Sequence, residues 1–266
     1  MKDLSNKWVL ITGASSGLGE AMATELASRY KCNLLLVARR KDKLESLANK
    51  MEKAQNVSVE CLEADLIVNK DIQSVIDASL TKSTFFGAIL NAGRTHLGKY
   101  VEQPIENQLS IVQLNIESTI QLTDAFVKHF EQTKKPGRLS VISSLAAQVP
   151  APYQAVYSGT KAFLTNFFHS VKHELKNKDL KLSVFSPGGI KTEMTNGEGF
   201  KDMEAYLMPV NEAAQQAVNT FLKGKHNHIP GFGNRLGVAF LSLIPTRIFS
   251  KVMGKKYLNS IESLKA

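Results

Sequence analysis

The sequence has no disulfide framework: only two cysteines, Cys32 and Cys61, occur in 266 residues. Both lie inside apolar runs and read as buried thiols of a reducing compartment. It also lacks any run of the ~20 apolar residues needed to span a bilayer. The start, MKDLSNKWVLITG, enters a strand-like run at once and has no signal-peptide pattern. A cytoplasmic protein is expected, with one reservation about the C-terminal stretch. Metal-ligand clusters are missing too. His169 and His173 have i, i+4 spacing, but no third ligand at a metal-binding spacing joins them, so an exposed polar face is favoured and no metal is expected. The net charge is +9, yet lysines run from Lys2 to Lys265 among acids, which disfavours nucleic acid as a partner. No linker, repeat or low-complexity stretch divides the chain.

What is present is a regular alternation. Short apolar runs at 8–12, 33–38, 57–62, 86–92, 138–143 and 180–186 read as buried parallel strands. Helical patterns fall between them, at roughly 17–30, 41–54, 69–82, 104–132 and 152–177. This order implies an α/β, doubly wound parallel sheet (a Rossmann fold) with helices on both faces and ligands at the strand C-terminal rim. Residues 1–231 form the dinucleotide-binding and catalytic domain in this reading, and 232–266 a helical extension of it.

The turn TGASSGLGE joins the first strand to the first helix. Gly13, Gly17 and Gly19 let the backbone turn tightly and approach a pyrophosphate, while the helix N-terminus offers free N–H groups. Ser15 and Ser16 add hydroxyl donors, and Leu18 completes the turn. An acid at the end of the second strand would hydrogen-bond the adenosine ribose. Arg39 and Arg40 stand there instead, and guanidinium groups suit a 2′-phosphate. NADP(H) is favoured over NAD(H); a solvated basic turn is the plain alternative.

Tyr157 and Lys161, in AVYSGTKAF, are neighbours on one face if the stretch is helical. A phenol with a pKa of about 10 exchanges protons poorly at pH 7. The cation beside it is expected to favour the phenolate and lower that pKa.

The ordered set of motifs resembles the short-chain dehydrogenase/reductase family in its compact, single-domain form. Besides the glycine turn and YSGTK, the likeness rests on EADL, NAG, QLNIEST, Ser144 and SPGGIKT. It implies that Asp65 and Leu66 border the adenine, and that Asn91, Ala92 and Gly93 close the fourth strand beside the cofactor. Pro187, Gly188, Ile190 and Thr192 would flank the nicotinamide. Asn115, Ser144, Tyr157 and Lys161 would be the catalytic group. Ser143 is a rival for the serine, but strand alternation points it the other way, and the family spacing selects Ser144. In the implied reaction Ser144 and Tyr157 hold a carbonyl oxygen and Tyr157 donates the proton. Lys161 binds the nicotinamide ribose, and Asn115 holds a water linking Lys161 to solvent. An alternative is a cofactor-binding regulatory or scaffold protein with little turnover; an epimerase or dehydratase is a third reading.

The segment after Ser144 and the one after Pro187 are expected to wall the substrate pocket, the second as a lid. Met194, Phe200, Met203, Tyr206 and Leu207 suggest an apolar ligand. Phe163, Phe167 and Phe168 read as core or subunit contacts, and a homodimer or homotetramer is expected. Apolar residues from Leu236 to Ile244 end at Pro245, and Arg247, Lys251, Lys255 and Lys256 follow. Residues 236–256 thus read as a cover for the cleft, a subunit contact, or a peripheral contact with an anionic membrane surface.

Overall fold

The computed structural model describes residues 4–195, 207–241 and 246–263. Among these, seven parallel strands form one sheet: β1 Trp8–Thr12, β2 Asn33–Ala38, β3 Val59–Glu63, β4 Phe85–Leu90, β5 Gly137–Ile142, β6 Leu180–Phe185 and β7 Asn227–His228. The helices are α1 Gly17–Tyr30, α2 Lys41–Gln55, α3 Asn69–Leu80, α4 Ile105–Val112, α5 Ser118–Thr133, α6 Ala155–Glu174, α7 Val210–Lys223, α8 Phe232–Leu241 and α9 Thr246–Ser263. The spatial order β3-β2-β1-β4-β5-β6-β7 places the doubly wound switch point between β1 and β4.

Alternation along the strands builds two cores. Val9, Ile11, Leu34, Leu36 and Phe185 point to one face and pack with Met22, Leu26, Leu44 and Phe221 of α1, α2 and α7. Leu10, Leu35, Val37, Leu139 and Leu182 point to the other and meet Ile72, Val75, Phe126, Phe130 and Phe168 of α3, α5 and α6. Because helices cover both faces, the strands can be apolar throughout.

Several boundaries differ from the sequence reading, each for a local reason. The helix expected over 104–132 is α4 and α5 joined by a π-helical turn at Gln113–Glu117. There the Ser118 and Thr119 hydroxyls donate to the Leu114 and Asn115 carbonyls at 2.6 and 2.9 Å, the back-bonding that bends helices. The third strand starts at Val59 rather than 57, since Asn56 ends α2 in the left-handed region and Asn33 Oδ1 takes the Ser58 N–H at 2.9 Å. Helix α6 starts at Ala155 rather than 152, after Tyr153 at φ +64°, and stops before Leu175, which is extended. The sequence reading took the stretch holding His226 and His228 as short and strand-like, where β7 lies, but did not name α7 as an element.

His169 departs from the exposed face expected of it. It is half-buried and stacks on His226 with ring centroids 3.8 Å apart. Burial lowers the pKa of both imidazoles, so the stack joins two neutral rings. His173 is exposed, and no group of three or more His, Cys, Asp or Glu among the described residues is arranged to hold a metal. Among those residues, too, no helix is long and apolar enough to cross a membrane. Phe168 is core, whereas Phe163 is exposed and stacked on Phe167 with centroids 5.6 Å apart.

Candidate active site

At the switch point the chain turns through Gly13 at φ +66°, a conformation that favours glycine. A Cβ there would stand 2.9 Å from the Ala92 Cα, so the β1 turn and the β4 turn touch. Gly19 lies against the Gly13 carbonyl and the Asn91 amide, with no room for a side chain. It sets the close approach of α1 and is not itself at the cavity wall. Asn91 ties the two strands, its Nδ2 donating to the carbonyls of Thr12 and Gly13 at 3.0 and 3.2 Å. The Thr12 hydroxyl accepts from the N–H groups of Asn91 and Ala92, both at 3.0 Å.

This turn opens into a cavity of about 740 Å³. Gly13, Ser15, Ser16, Gly17 and Leu18 line it from the first turn; Arg39, Arg40, Asp65 and Leu66 line it from the ends of β2 and β3. The two arginines have separate surroundings. Arg39 leans toward Asp65, 3.9 Å away, at the adenine side. Arg40 donates to the Ser15 hydroxyl at 3.1 Å and to the Ser16 hydroxyl at 2.5 Å. A glycine cradle without space for Cβ atoms, together with a guanidinium and two hydroxyls at the end of β2, fits a phosphorylated dinucleotide.

The same cavity reaches Ser144, Tyr157 and Lys161. One helical turn of α6 separates Tyr157 from Lys161, and the Lys161 ammonium lies 5.7 Å from the centroid of the Tyr157 ring. Its Nζ donates to the Ile142 carbonyl at the end of β5, at 2.8 Å. Burial lowers the Lys161 pKa from the ordinary 10.5 to about 8. The Tyr157 phenol moves up, against the sequence expectation. Burial is the largest cause, a hydrogen bond with Ser144 opposes it, and Tyr257 adds to the rise. The protein's own groups therefore keep Tyr157 protonated, because desolvation outweighs the hydrogen bond with Ser144.

Ser143 and Ser144 divide as alternation requires. The Ser143 hydroxyl is buried against Thr165 Oγ1 at 2.8 Å and donates to the Lys161 carbonyl at 3.0 Å. The Ser144 hydroxyl faces Tyr157 and accepts from the Ala146 N–H at 3.1 Å. Asn115, fully buried in the π turn, does not line the cavity. Its Oδ1 accepts from the Arg94 N–H at 3.0 Å, and its Nδ2 donates to the Arg94 carbonyl at 3.1 Å and to Thr160 Oγ1 at 3.0 Å. It braces the loop at Gly93, where a Cβ would stand 3.2 Å from Asn115 Oδ1 and 3.4 Å from Lys161 Nζ.

Asn91, Ala92, Gly93, Pro187, Gly188, Ile190 and Thr192 complete the wall beside these groups. Leu145, Val149 and Pro150 form the wall expected after Ser144, and Leu207 contributes from beyond β6. Phe200, Met203 and Tyr206 lie outside the described residues, as does the side chain of Met194. The tail lies at the cleft, as one reading of 236–256 expected, with Gly233, Asn234 and Tyr257 added from just outside that stretch. Gly233, Asn234, Gly237 and Val238 of α8 and Met253 and Tyr257 of α9 roof the cavity, and a Cβ added at Gly254 would stand 3.6 Å from the Pro152 ring. Glu193 was missed as well, since its partners lie some 150 residues earlier in the chain.

The sequence profile described as short chain dehydrogenase matches residues 7–202. An 11-beta-hydroxysteroid dehydrogenase 1A of Arabidopsis thaliana is 33% identical over 204 residues, 75% of this chain and 56% of that protein. The chain thus spans little more than half of that relative's length. A human 17-beta-hydroxysteroid dehydrogenase type 3 is 30% identical over 253 residues, 91% of this chain and 77% of that one. Among solved structures, a short-chain dehydrogenase from Sphingobium yanoikuyae in complex with NADPH superposes with a TM-score of 0.79 at 29% identity, covering 89% of this chain and 94% of that one. With the profile matching well over half its length, and with the switch-point cradle and the Tyr157–Lys161 pair in one cavity, this chain belongs to the short-chain dehydrogenase/reductase family.

Proposed function

We propose that the chain transfers hydride between NADP(H) and the carbonyl or alcohol carbon of a bulky apolar substrate, with a hydroxysteroid or its ketone as the favoured class. One observation carries the reading: a single cavity joins the Arg40–Ser15–Ser16 group to Tyr157, Ser144 and Lys161 under an apolar roof. The names of the two relatives and the NADPH held by the Sphingobium protein support it.

The nicotinamide, when bound, supplies or accepts the hydride. Tyr157 is the general acid in reduction, and its raised pKa keeps the proton in place until the carbonyl oxygen takes it. Ser144 donates a second hydrogen bond to that oxygen and holds it beside the phenol. Lys161 orients the nicotinamide ribose, and Asn115 positions the Gly93 side of the site through Arg94 and Thr160. Leu145, Val149, Leu207, Val238 and Met253 exclude water and accept the apolar body of the substrate.

The test is oxidation of NADPH and NADH, followed by absorbance, against steroid ketones, small ketones, aldehydes and 3-oxoacyl compounds. Steroid-dependent NADPH oxidation that Tyr157→Phe removes is the expected result. Tight NADPH binding with no turnover on any member of the panel would favour the regulatory or scaffold reading. Two partner readings accompany this function. The exposed Phe163 and, on α4, Ile105 and Leu109 suit a second copy of the chain, giving a homodimer or homotetramer. The outer side of the tail, with Phe232, Phe240, Ile248 and Val252 exposed among Arg247, Lys251 and Lys255, suits an anionic membrane surface. Sedimentation with anionic liposomes, comparing the full chain with one truncated after Phe232, separates membrane contact from a purely roofing tail.

A further inference from the structure

Glu193 follows the nicotinamide-side segment of the cavity, yet its carboxylate reaches across to the adenosine side. One oxygen lies 3.3 Å from Arg40 Nη1, and the other 3.1 Å from Lys43 Nζ in the first turn of α2. Arg40 is at the same time bonded to the hydroxyls of Ser15 and Ser16. Two cations and two hydroxyls thus gather at the ribose end of β2, and the carboxylate is the anion they hold. The Lys43 and Arg40 hydrogen bonds keep the Glu193 carboxyl below its ordinary pKa. Lys43 was absent from the sequence-level candidates because an isolated lysine on an amphipathic helix reads as a solvated side chain.

We propose that Glu193 is an internal counter-anion of the 2′-phosphate site, that the 2′-phosphate of NADP(H) displaces it, and that Lys43 then joins Arg40 as a second phosphate ligand. The inference rests on the NADP(H) reading given above. A carboxylate offers two acceptor oxygens and one charge; a phosphate offers three oxygens and more charge, so the same cations bind it more strongly. NAD(H) has a 2′-hydroxyl there and leaves the ion pair intact. Glu193 therefore sets the margin between the two cofactors: it opposes NADP(H) and is neutral toward NAD(H). It also links that choice to the opposite wall, because a Cβ at Gly17 would stand 3.3 Å from the Thr192 methyl beside it, and Thr195 lines the cavity.

The experiment is calorimetric titration of NADPH and NADH into the full chain, Glu193→Gln and Lys43→Met, with thermal unfolding of each to verify folding. Exposed ion pairs of this kind are weak, so the expected changes are about two- to fivefold. Glu193→Gln should bind NADPH tighter by that factor with NADH unchanged, and Lys43→Met should bind NADPH weaker with NADH unchanged. If the native chain prefers NADPH but Glu193→Gln binds it no tighter, the counter-anion is refuted while the cofactor reading stands. Equal tightening of NADH would also overturn it, by showing general repulsion of a dinucleotide rather than competition with one phosphate. Unaltered NADPH affinity in Lys43→Met would remove the second ligand. Equal affinity of the native chain for both cofactors would instead refute the NADP(H) reading itself.

Discussion

Replacing Lys161 with methionine should make the fold less dependent on pH while it abolishes turnover. Lys161 is 5% exposed and its ammonium has one acceptor among the described residues, the Ile142 carbonyl. Each pKa step of one corresponds to about 1.4 kcal/mol, so a fall from 10.5 to about 8 makes the charged lysine roughly 3 kcal/mol less favourable in the folded chain than in the unfolded one at pH 7. The folded pKa is the lower one, so between about pH 8 and 10.5 the unfolded chain binds the extra proton, and stability rises with pH through that window. At pH 9.5 the penalty falls to about 1.5 kcal/mol, a gain of about 2 kcal/mol over pH 7. Methionine of similar length carries no proton and forgoes this gain. The lost hydrogen bond to Ile142 shifts the variant by an amount independent of pH and cancels in the comparison. Urea unfolding at pH 7 and pH 9.5, followed by the fluorescence of Trp8, the single tryptophan, gives the four free energies needed. The native chain should gain about 2 kcal/mol more than Lys161→Met between the two pH values. Parallel behaviour would show that the ammonium is not desolvated and would undo the argument for a strained catalytic lysine.

Arg40→Ala should weaken NADPH by about tenfold or more through the loss of charged hydrogen bonds, while Arg39→Ala, whose guanidinium faces Asp65, should cost less. Equilibrium binding of NADPH and NADH checks the order, and an equal loss in both variants would contradict the separate roles. Tyr157→Phe should retain NADPH binding and lose about 10²–10⁴-fold in kcat; steady-state kinetics at saturating cofactor tests it. Gly159→Ala should stabilise α6 by about 0.5–1 kcal/mol, since an added Cβ meets nothing within 4 Å and the glycine lies inside the helix. Thermal unfolding reads that change, and a lower midpoint would mean that the turn carrying Tyr157 needs the flexibility of glycine.

The sheet and the cofactor turn were legible because their causes are local. Short, mostly apolar runs of five and six residues suit the strands of a helix-covered sheet, and glycines at 13, 17 and 19 follow the first of them directly. The Tyr157 pKa was misread because sequence shows the neighbouring lysine and not the burial that raises the phenol. Asn115 could be placed by motif, but its bracing through Arg94 and Thr160 depends on a π turn that helical periodicity does not signal. Glu193 was illegible for a plainer reason: an acid in a loop becomes informative only when Lys43, 150 residues away, is seen against it.

The tail shows where the usual reading of an apolar stripe reverses. Phe232, Leu236 and Phe240 recur every fourth residue, a pattern that ordinarily marks the face turned to the core. In α8 these three are exposed, and Gly233, Asn234, Gly237 and Val238 face the cavity instead. Large side chains turned inward would fill the space that a substrate needs, so a helix roofing a binding cavity must present small residues to it. Apolar residues on the outer face are then left exposed, with the Arg235 guanidinium 6.0 Å from the Phe232 ring centroid. On α9 the division repeats: Met253 and Tyr257 point in, while Ile248 and Val252 are exposed beside Lys251 and Lys255. Roofing the cleft and contacting an apolar or membrane surface are therefore compatible uses of one segment, because they draw on opposite faces of the same two helices. A bulky apolar substrate concentrated at such a surface would meet the cavity through the helices that separate the two.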